Sequence, residues 1–361
     1  MIAYLRTSAA GFDIRLRKYL QACEASETPY LAITWDRMAN ATILPNEYTY
    51  PHAAPYGYGH RFKNFMLLLG WYLFAFSILI KHRKEYKVIH ACNVETIPLA
   101  VLMRLFLGKK AIFDIYDTSG HFALERFFIK HSDLFVLPTE RRLEQEGITK
   151  EEVKNFLSVE NVPVFKQNII RRQGLTDDEK IVISYVGTFQ RNIRGLENLL
   201  KLVLDDGRFV LEIAGTGDNF EKDLTDASMK CSRVHYYGAV SYDKALEIMG
   251  NSDFIYAHYF MSAPTHKYAS PNKFYESLFL GVPLITTKGT LVGNLVSVCN
   301  TGYVIGEQLE DLRHLFANID SDFKASYHER ENSAGMKWDS EYADYFKNHM
   351  AGKYISICRS L

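Results

Sequence analysis

The sequence predicts an α/β protein made of two doubly wound halves, each a parallel sheet with helices on both faces. Three observations predict it. Short apolar runs alternate with helix-period stretches along all 361 residues, the pattern of repeated βαβ units. The alternation breaks once, near "LSVENVPVFKQ", where Asn161 and Pro163 interrupt it and a polar stretch continues to Lys180. The length is enough for two domains that each bury a core.

The first half, residues 1–163, carries the strand candidates "IAYLRT", "YLAITW", "KVIHAC", "KAIFDIYD" and "LFVLPT", with helical stretches near 14–25, 62–83, 95–107 and 121–131 between them. The second half, 164–337, carries "IVISYVG", "FVLEIAG", "VHYYG", "FIYAHY", "PLITT" and "GYVI", again with helices between. After about residue 307 the chain is charged and helical. It ends in "WDSEYADYFKNHMAGKYISICRSL", residues 338–361, whose Trp and Tyr side chains need a surface and are expected to pack back on the first half.

Composition excludes some functions. Lysine plus arginine (42) equals aspartate plus glutamate (42), so no global field gathers nucleic acid, and no nucleic-acid partner is expected. Five scattered cysteines without a C-x-x-C read as free thiols in a reducing cytoplasm. The first residues show no apolar core of signal-peptide length, so a cytoplasmic protein is expected.

"RFKNFMLLLGWYLFAFSILIKHRKEYK" raises a membrane question. Phe65–Ile80 is an uncharged run of sixteen residues, flanked by Arg61 and Lys63 on one side and Lys81, Arg83, Lys84 and Lys87 on the other. Sixteen is short of the roughly twenty that cross a bilayer. The run is therefore either a buried helix of the first half or one that packs inside while showing an aromatic edge to a membrane surface. Phe65, Leu68, Trp71, Tyr72, Phe76 and Leu79 would form that edge.

Sites in doubly wound folds lie at the carboxyl ends of parallel strands, where loops meet helix N-termini. In "SPNKFYESLFLGVPLIT", Ser270 suits an N-cap and Pro271 the first helical position, and Gly281 ends a helix that runs to about Leu280. The free N-terminus favours a phosphate, and Lys273 adds a cation. Glu276, further in, suits a diol such as a ribose. The bland alternative is an amphipathic helix with Glu276 on its wet face. In "ISYVGTFQRNIRGLENLLKLV" a strand and the Gly187 turn precede Arg191 and Arg194, two cations placed for a diphosphate or simply solvated. "EIAGTGDNF" sets Gly215 and Gly217 in a strand-to-helix turn, and in "VHYYGAVSYDKALEIM" Gly238 ends a strand before Ala239 and Val240. Gly-x-Gly taken singly is weak.

Together these stretches resemble the C-terminal half of the retaining nucleotide-sugar glycosyltransferases with two Rossmann-like domains, most closely glycosyltransferase family 4. That family's series runs "Y-x-G … [KR]-G-[IL] … I-x-G-x-G … V-x-x-x-G-x-[VL] … P-N-K-x-x-E-x-x-x-x-G-x-P-[VIL]-I", and the match here runs from Tyr185 to Ile285. "RTSAAGFDIRLRKYLQAC…YLAITWDR", "VIHACNVETIPLAVLMRLFLGKKAIFDIYD" and "SDLFVLPTERR…VENVP" are similar to segments of bacterial surface-polysaccharide members. The resemblance implies two Rossmann-like doubly wound domains facing each other across a cleft, the GT-B type. It implies that Glu276 binds the nucleotide ribose and that Ser270, Pro271, Asn272 and Lys273 meet the diphosphate and donor sugar. Arg194 stands at the phosphate-binding position. Gly187, Thr188 and Gly215 line the donor, Ala239 and Val240 touch the base through their backbone, and Gly11 belongs to the donor-facing turn after the first strand.

The chain departs from the family in places. Thr188 stands where an Arg is frequent, with Arg191 as its replacement, and Tyr268 stands where many members have a glutamate. Tyr116, between Asp114 and Asp117, stands where a histidine is expected, and either His121 would reach the same space or no histidine is needed. The implied reaction is a retaining transfer with no protein nucleophile, cofactor or metal; Asp320 and Asp322, the one Asp-x-Asp, read as solvated surface. The implied partners are a nucleotide-sugar donor, a lipid-linked or oligosaccharide acceptor and an anionic membrane, with the protein peripheral on the inner face of the cell membrane. Two alternatives stay open: a nucleotide-sugar epimerase, and a catalytically inert nucleotide-sugar-binding protein beside a polysaccharide synthase.

Overall fold

Apolar runs that are covered on both faces become parallel strands, since neither face has to meet water. β1 (Ile2–Leu5), β2 (Tyr30–Trp35), β3 (Glu47–Tyr50), β4 (Val88–Cys92), β5 (Lys110–Asp114), β6 (Leu134–Leu137) and β7 (Phe156–Ser158) form a seven-stranded sheet in the order β3-β2-β1-β4-β5-β6-β7, every neighbouring pair parallel. The computed structural model describes all residues except 12, 38–42, 54–60, 116–121, 154, 165–173 and 176–179. It divides into two compact units, Met1–Val164 with Asp344–Leu361, and Phe165–Ala343.

Around the first sheet lie α1 (Ile14–Ala25), α2 (Arg61–Lys81), α3 (Ile97–Leu107), α4 (Phe122–Lys130) and α5 (Arg142–Glu146). Asp13 starts α1 by accepting the Leu16 N–H at 2.8 Å. The strands β3 and β7 have no counterpart among the sequence-predicted ones. They are the outermost strands, four and three residues long, and β3 is only half-buried along its length.

In the second unit β8 (Ile181–Val186), β9 (Phe209–Ala214), β10 (Val234–Tyr236), β11 (Phe254–Ala257), β12 (Leu284–Thr287) and β13 (Gly302–Ile305) are ordered β10-β9-β8-β11-β12-β13, again all parallel. Its helices are α6 (Leu196–Asp205), α7 (Phe220–Lys230), α8 (Tyr242–Gly250), α9 (Asn272–Leu280), α10 (Leu291–Cys299), α11 (Leu309–Leu315) and α12 (Ser321–Lys337). Asp320 caps α12 by accepting the Phe323 N–H at 2.9 Å.

The tail is shared between the units. Residues 338–343 stay with the second unit, contrary to the expected return of the whole 338–361 segment, because Trp338 packs on Phe279 and Tyr342 on Tyr275, both on α9. From Asp344 the chain belongs to the first unit. There the π-helical stretch Phe346–Tyr354 and α13 (Ile355–Ser360) bring the Tyr354 hydroxyl to His90 Nδ1 at 2.7 Å and to Tyr4 at 3.0 Å.

Helix α2 corrects the expected outer edge. Trp71 and Leu79 are fully buried, and Trp71 Nε1 donates to the Thr34 carbonyl of β2 at 3.0 Å. The exposed edge is instead Phe62, Phe65, Met66, Leu69, Leu73 and Phe76, with Phe62 77 % and Leu73 74 % exposed. A helix that is apolar all round gives no period by which its inner face can be told from its outer one. At 21 residues it is, by length and composition alone, long and apolar enough to cross a membrane.

Candidate functional site

In the second sheet the chain leaves β8 for β9 and β10, then returns to the other side of β8 as β11. The carboxyl ends of β8 and β11 therefore flank the point where the winding reverses, the place where open α/β sheets bind ligands. Gly187 follows β8 with φ at +149°, and a Cβ there would lie 2.8 Å from Lys273 Nζ. Gly215, after β9, lies against Gly187 so closely that a Cβ would meet the Gly187 carbonyl oxygen at 1.8 Å. Side chains at these two positions would collide with Lys273 and with the Gly187 backbone.

Helix α9 brings two charges to this place. Its cap is Pro271 in extended conformation (φ −73°, ψ 145°), so Asn272 is the first helical residue. Ser270 is therefore not the N-cap, and its hydroxyl lies 3.5 Å from the Tyr275 hydroxyl. No side chain caps the helix start. Lys273, in the first turn, lies over the Tyr185 ring at 5.1 Å. Burial lowers its ammonium to about 8, with Glu276 opposing the shift and Arg194 adding to it. Glu276 is 5 % exposed and does not face open water as the amphipathic alternative required. Burial raises its carboxyl, while Lys273 and a 2.9 Å hydrogen bond from the Tyr242 hydroxyl pull it back down.

The two arginines part company. Arg194 stacks over Tyr259 at 4.6 Å, donates through Nε to Gln190 Oε1 at 2.9 Å, and lies close enough to Lys273 for their charges to repel. Arg191 does not join them. Its guanidinium is paired with Asp223 of α7 at 2.5 Å and donates to the Asp218 carbonyl at 3.0 Å, because a full carboxylate in the first turn of α7 is within its reach. In this arrangement its charge is directed to Asp223 and not offered beside Thr188.

Thr188 is exposed, with its carbonyl accepting the Tyr185 hydroxyl at 2.7 Å. Ala239 is exposed and Val240 half-buried in the loop before α8. Gly11 is in the turn before α1, in the first unit. His121, Tyr116 and Asp117 lie outside the described residues. Sequence reasoning missed Tyr242 and Tyr259 as members of this cluster. The only signal was a tyrosine after Ser241 at a helix start, since its contact with Glu276 spans 34 residues.

The first unit holds a buried polar cluster at the carboxyl end of β5. Asp114 accepts from Arg15 through both oxygens and from the Tyr19 hydroxyl at 2.8 Å. Arg15 Nη1 also donates to the Val159 carbonyl at 2.9 Å, which ties β5 to the stretch after β7. His90, Cys92 and Asp114 offer ligand atoms within 4.8 Å of one another, the one such group among the described residues. A metal there would have to displace Arg15 from Asp114, so these residues fit an ion pair better than a cation site.

No protein-family model matches the sequence, and no curated protein matches it. Solved structures do. Sucrose-phosphate synthase from Thermosynechococcus elongatus superposes with a TM-score of 0.70 at 15% identity, covering 100% of this chain and 99% of that one. The lipopolysaccharide outer core galactosyltransferase WaaB gives a TM-score of 0.65 at 14% identity, with 99% of each chain covered. HepE of Anabaena, solved with UDP and glucose, gives 0.68 at 12% identity, also over 99% of each chain. These neighbours are GT-B glycosyltransferases, and the likeness establishes the fold: two parallel-sheet, Rossmann-like α/β domains.

Proposed function

We propose that the chain is a retaining glycosyltransferase that moves a sugar from a nucleoside-diphosphate donor to a lipid-linked saccharide, in the synthesis of a bacterial surface polysaccharide. The observation that carries this reading is the grouping of Glu276 and Arg194 about Lys273, which lies beside Gly187 at the point where the second sheet reverses its winding. A buried carboxylate suits a ribose diol, and two cations beside an uncapped helix N-terminus suit a diphosphate. The structural neighbour solved with UDP and glucose supports the donor class.

In such a transfer the bond between the anomeric carbon and the diphosphate oxygen breaks as the acceptor hydroxyl arrives on the same face of the sugar. The leaving phosphate takes the acceptor proton. Negative charge grows on the diphosphate, and in this reading Lys273, Arg194 and the start of α9 stabilise it, with no metal required. Loss of one such contact costs on the order of 3 kcal/mol of barrier, about a hundredfold in rate. The exposed apolar edge of α2 and its basic flank support docking on an anionic cytoplasmic leaflet, where a lipid-linked acceptor would be met.

Titration calorimetry with UDP and GDP tests the reading. Glu276→Ala should weaken whichever nucleotide binds by roughly 1.5–3 kcal/mol, the range for hydrogen bonds to a charged group, with little change in melting temperature. Failure of both nucleotides to bind the wild-type protein would remove the donor site.

A further inference from the structure

We infer that Tyr242 is a positioning residue that sets the Glu276 carboxylate for a vicinal diol and so decides ribose against deoxyribose. The inference rests on the donor reading above and adds a residue to it.

Glu276 needs a partner because a carboxylate taken out of water is costly unless hydrogen-bonded. The partner arrives from another element. Tyr242 is the first residue of α8, whose start is fixed by Ser241 accepting the Lys244 N–H. From there the Tyr242 hydroxyl donates to Glu276 Oε1 at 2.9 Å. Among the described residues this is the one hydrogen bond to the Glu276 carboxylate, and it goes to Oε1, not Oε2. One oxygen is thus anchored and its twin is left to accept a ligand hydroxyl. The arrangement is directional: the hydrogen bond accepted by Oε1 restrains the carboxylate from rotating toward Lys273, which is close enough to interact by charge. Burial and the Glu276 charge both hold the Tyr242 hydroxyl in its protonated, donating form. Without the anchor, the carboxylate is free to rotate in the field of Lys273.

The groups facing Glu276 are Lys273 on its own helix, Tyr242 on α8, and at longer range Tyr259 after β11. The experiment is calorimetry on the full chain with UDP, GDP and 2′-deoxy-UDP, for wild type, Tyr242→Phe, Glu276→Ala and the double variant, from pH 5 to 8. Tyr242→Phe should weaken binding of the ribonucleotide about tenfold and bring the ratio of ribo to deoxy affinity close to one. In the Glu276→Ala background the same change should do nothing further. Because the Tyr242 bond lowers the Glu276 carboxyl, its removal should move the acid-side loss of affinity to higher pH. A Tyr242→Phe variant with the wild-type ratio, or one that weakens ribo and deoxy forms equally and additively with Glu276→Ala, would overturn the inference while leaving the donor site standing. Should neither UDP nor GDP bind the wild type, the donor reading falls and this inference falls with it.

Discussion

Arg15 and Asp114 meet in a two-armed ion pair, Nε and Nη2 each donating at 2.7 Å, with the Asp114 side chain fully excluded from water. The pair joins α1 to the end of β5. Arg15→Ala would leave a buried carboxylate with Tyr19, neutral His90 and Cys92 beside it and no cation paired with it through both oxygens, and should cost about 3–5 kcal/mol of stability, the usual penalty for breaking a buried pair from one side. Urea unfolding measures it. A loss under about 1 kcal/mol would mean that water reaches Asp114 once the guanidinium is gone.

The histidines give the pH dependence. Burial lowers both His90 and His258 from the usual value to about 4. An unfolded chain binds a proton at each near pH 6.5, the folded one only near 4, so the unfolded state holds more protons between those values and stability falls as pH drops through that window. Each contributes at most on the order of 3 kcal/mol, fully present above pH 6.5. Chemical denaturation at pH 7, 5.5 and 4.5 should show the decline, and His90→Gln should remove about half of it. A stability that is level from pH 7 to 4.5 would contradict neutral burial of these rings.

What was legible in the sequence is what depends on local period. The six strands of the second sheet and the order of their loops follow from apolar runs closed by glycine, as at Gly187 and Gly215. What was not legible depends on distance or on missing contrast. β3 reads "EYTY", half polar and at an edge, and gives no apolar run. The Tyr242–Glu276 contact and the Arg15–Asp114 pair join residues 34 and 99 positions apart, so neither leaves a local mark. Pro271 was placed inside the helix because its ring suits a first turn, yet its ψ of 145° keeps it outside.

Arg194 and Arg191 should separate cleanly by mutation. Arg194→Ala should lower kcat more than it raises the donor KM, because the charge it meets grows in the transition state. Arg191→Ala, with its guanidinium held by Asp223, should leave donor affinity within about twofold of wild type, as expected for an exposed pair. Kinetics with the donor found by calorimetry decide this. Equal losses for the two variants would mean that Arg191 leaves Asp223 when the donor binds.

The outer edge of α2 leads to the last prediction. Phe62, Phe65, Met66, Leu69, Leu73 and Phe76 recur at three- and four-residue spacing on the face turned away from Trp71, Ala75 and Leu79, which are buried. Contiguous apolar surface of this kind is unfavourable in water. Around it Lys63, Lys81, Arg83, Lys84 and Lys87 are exposed. At an anionic headgroup layer each basic residue contributes about 1 kcal/mol, so replacing Lys81, Arg83, Lys84 and Lys87 by glutamine should weaken binding by about 4 kcal/mol, on the order of a thousandfold. The wild-type protein should sediment with vesicles containing anionic lipid and be released by salt, and the four-fold glutamine variant should stay in the supernatant. Leu73→Glu with Phe65→Glu should release it too without lowering the melting temperature, since neither side chain is in the core. Material that stays with the vesicles through high salt and alkaline carbonate would point to an inserted helix instead. A wild type that remains in the supernatant at low salt would remove the membrane from the proposed function and leave the lipid-linked acceptor without support from these residues.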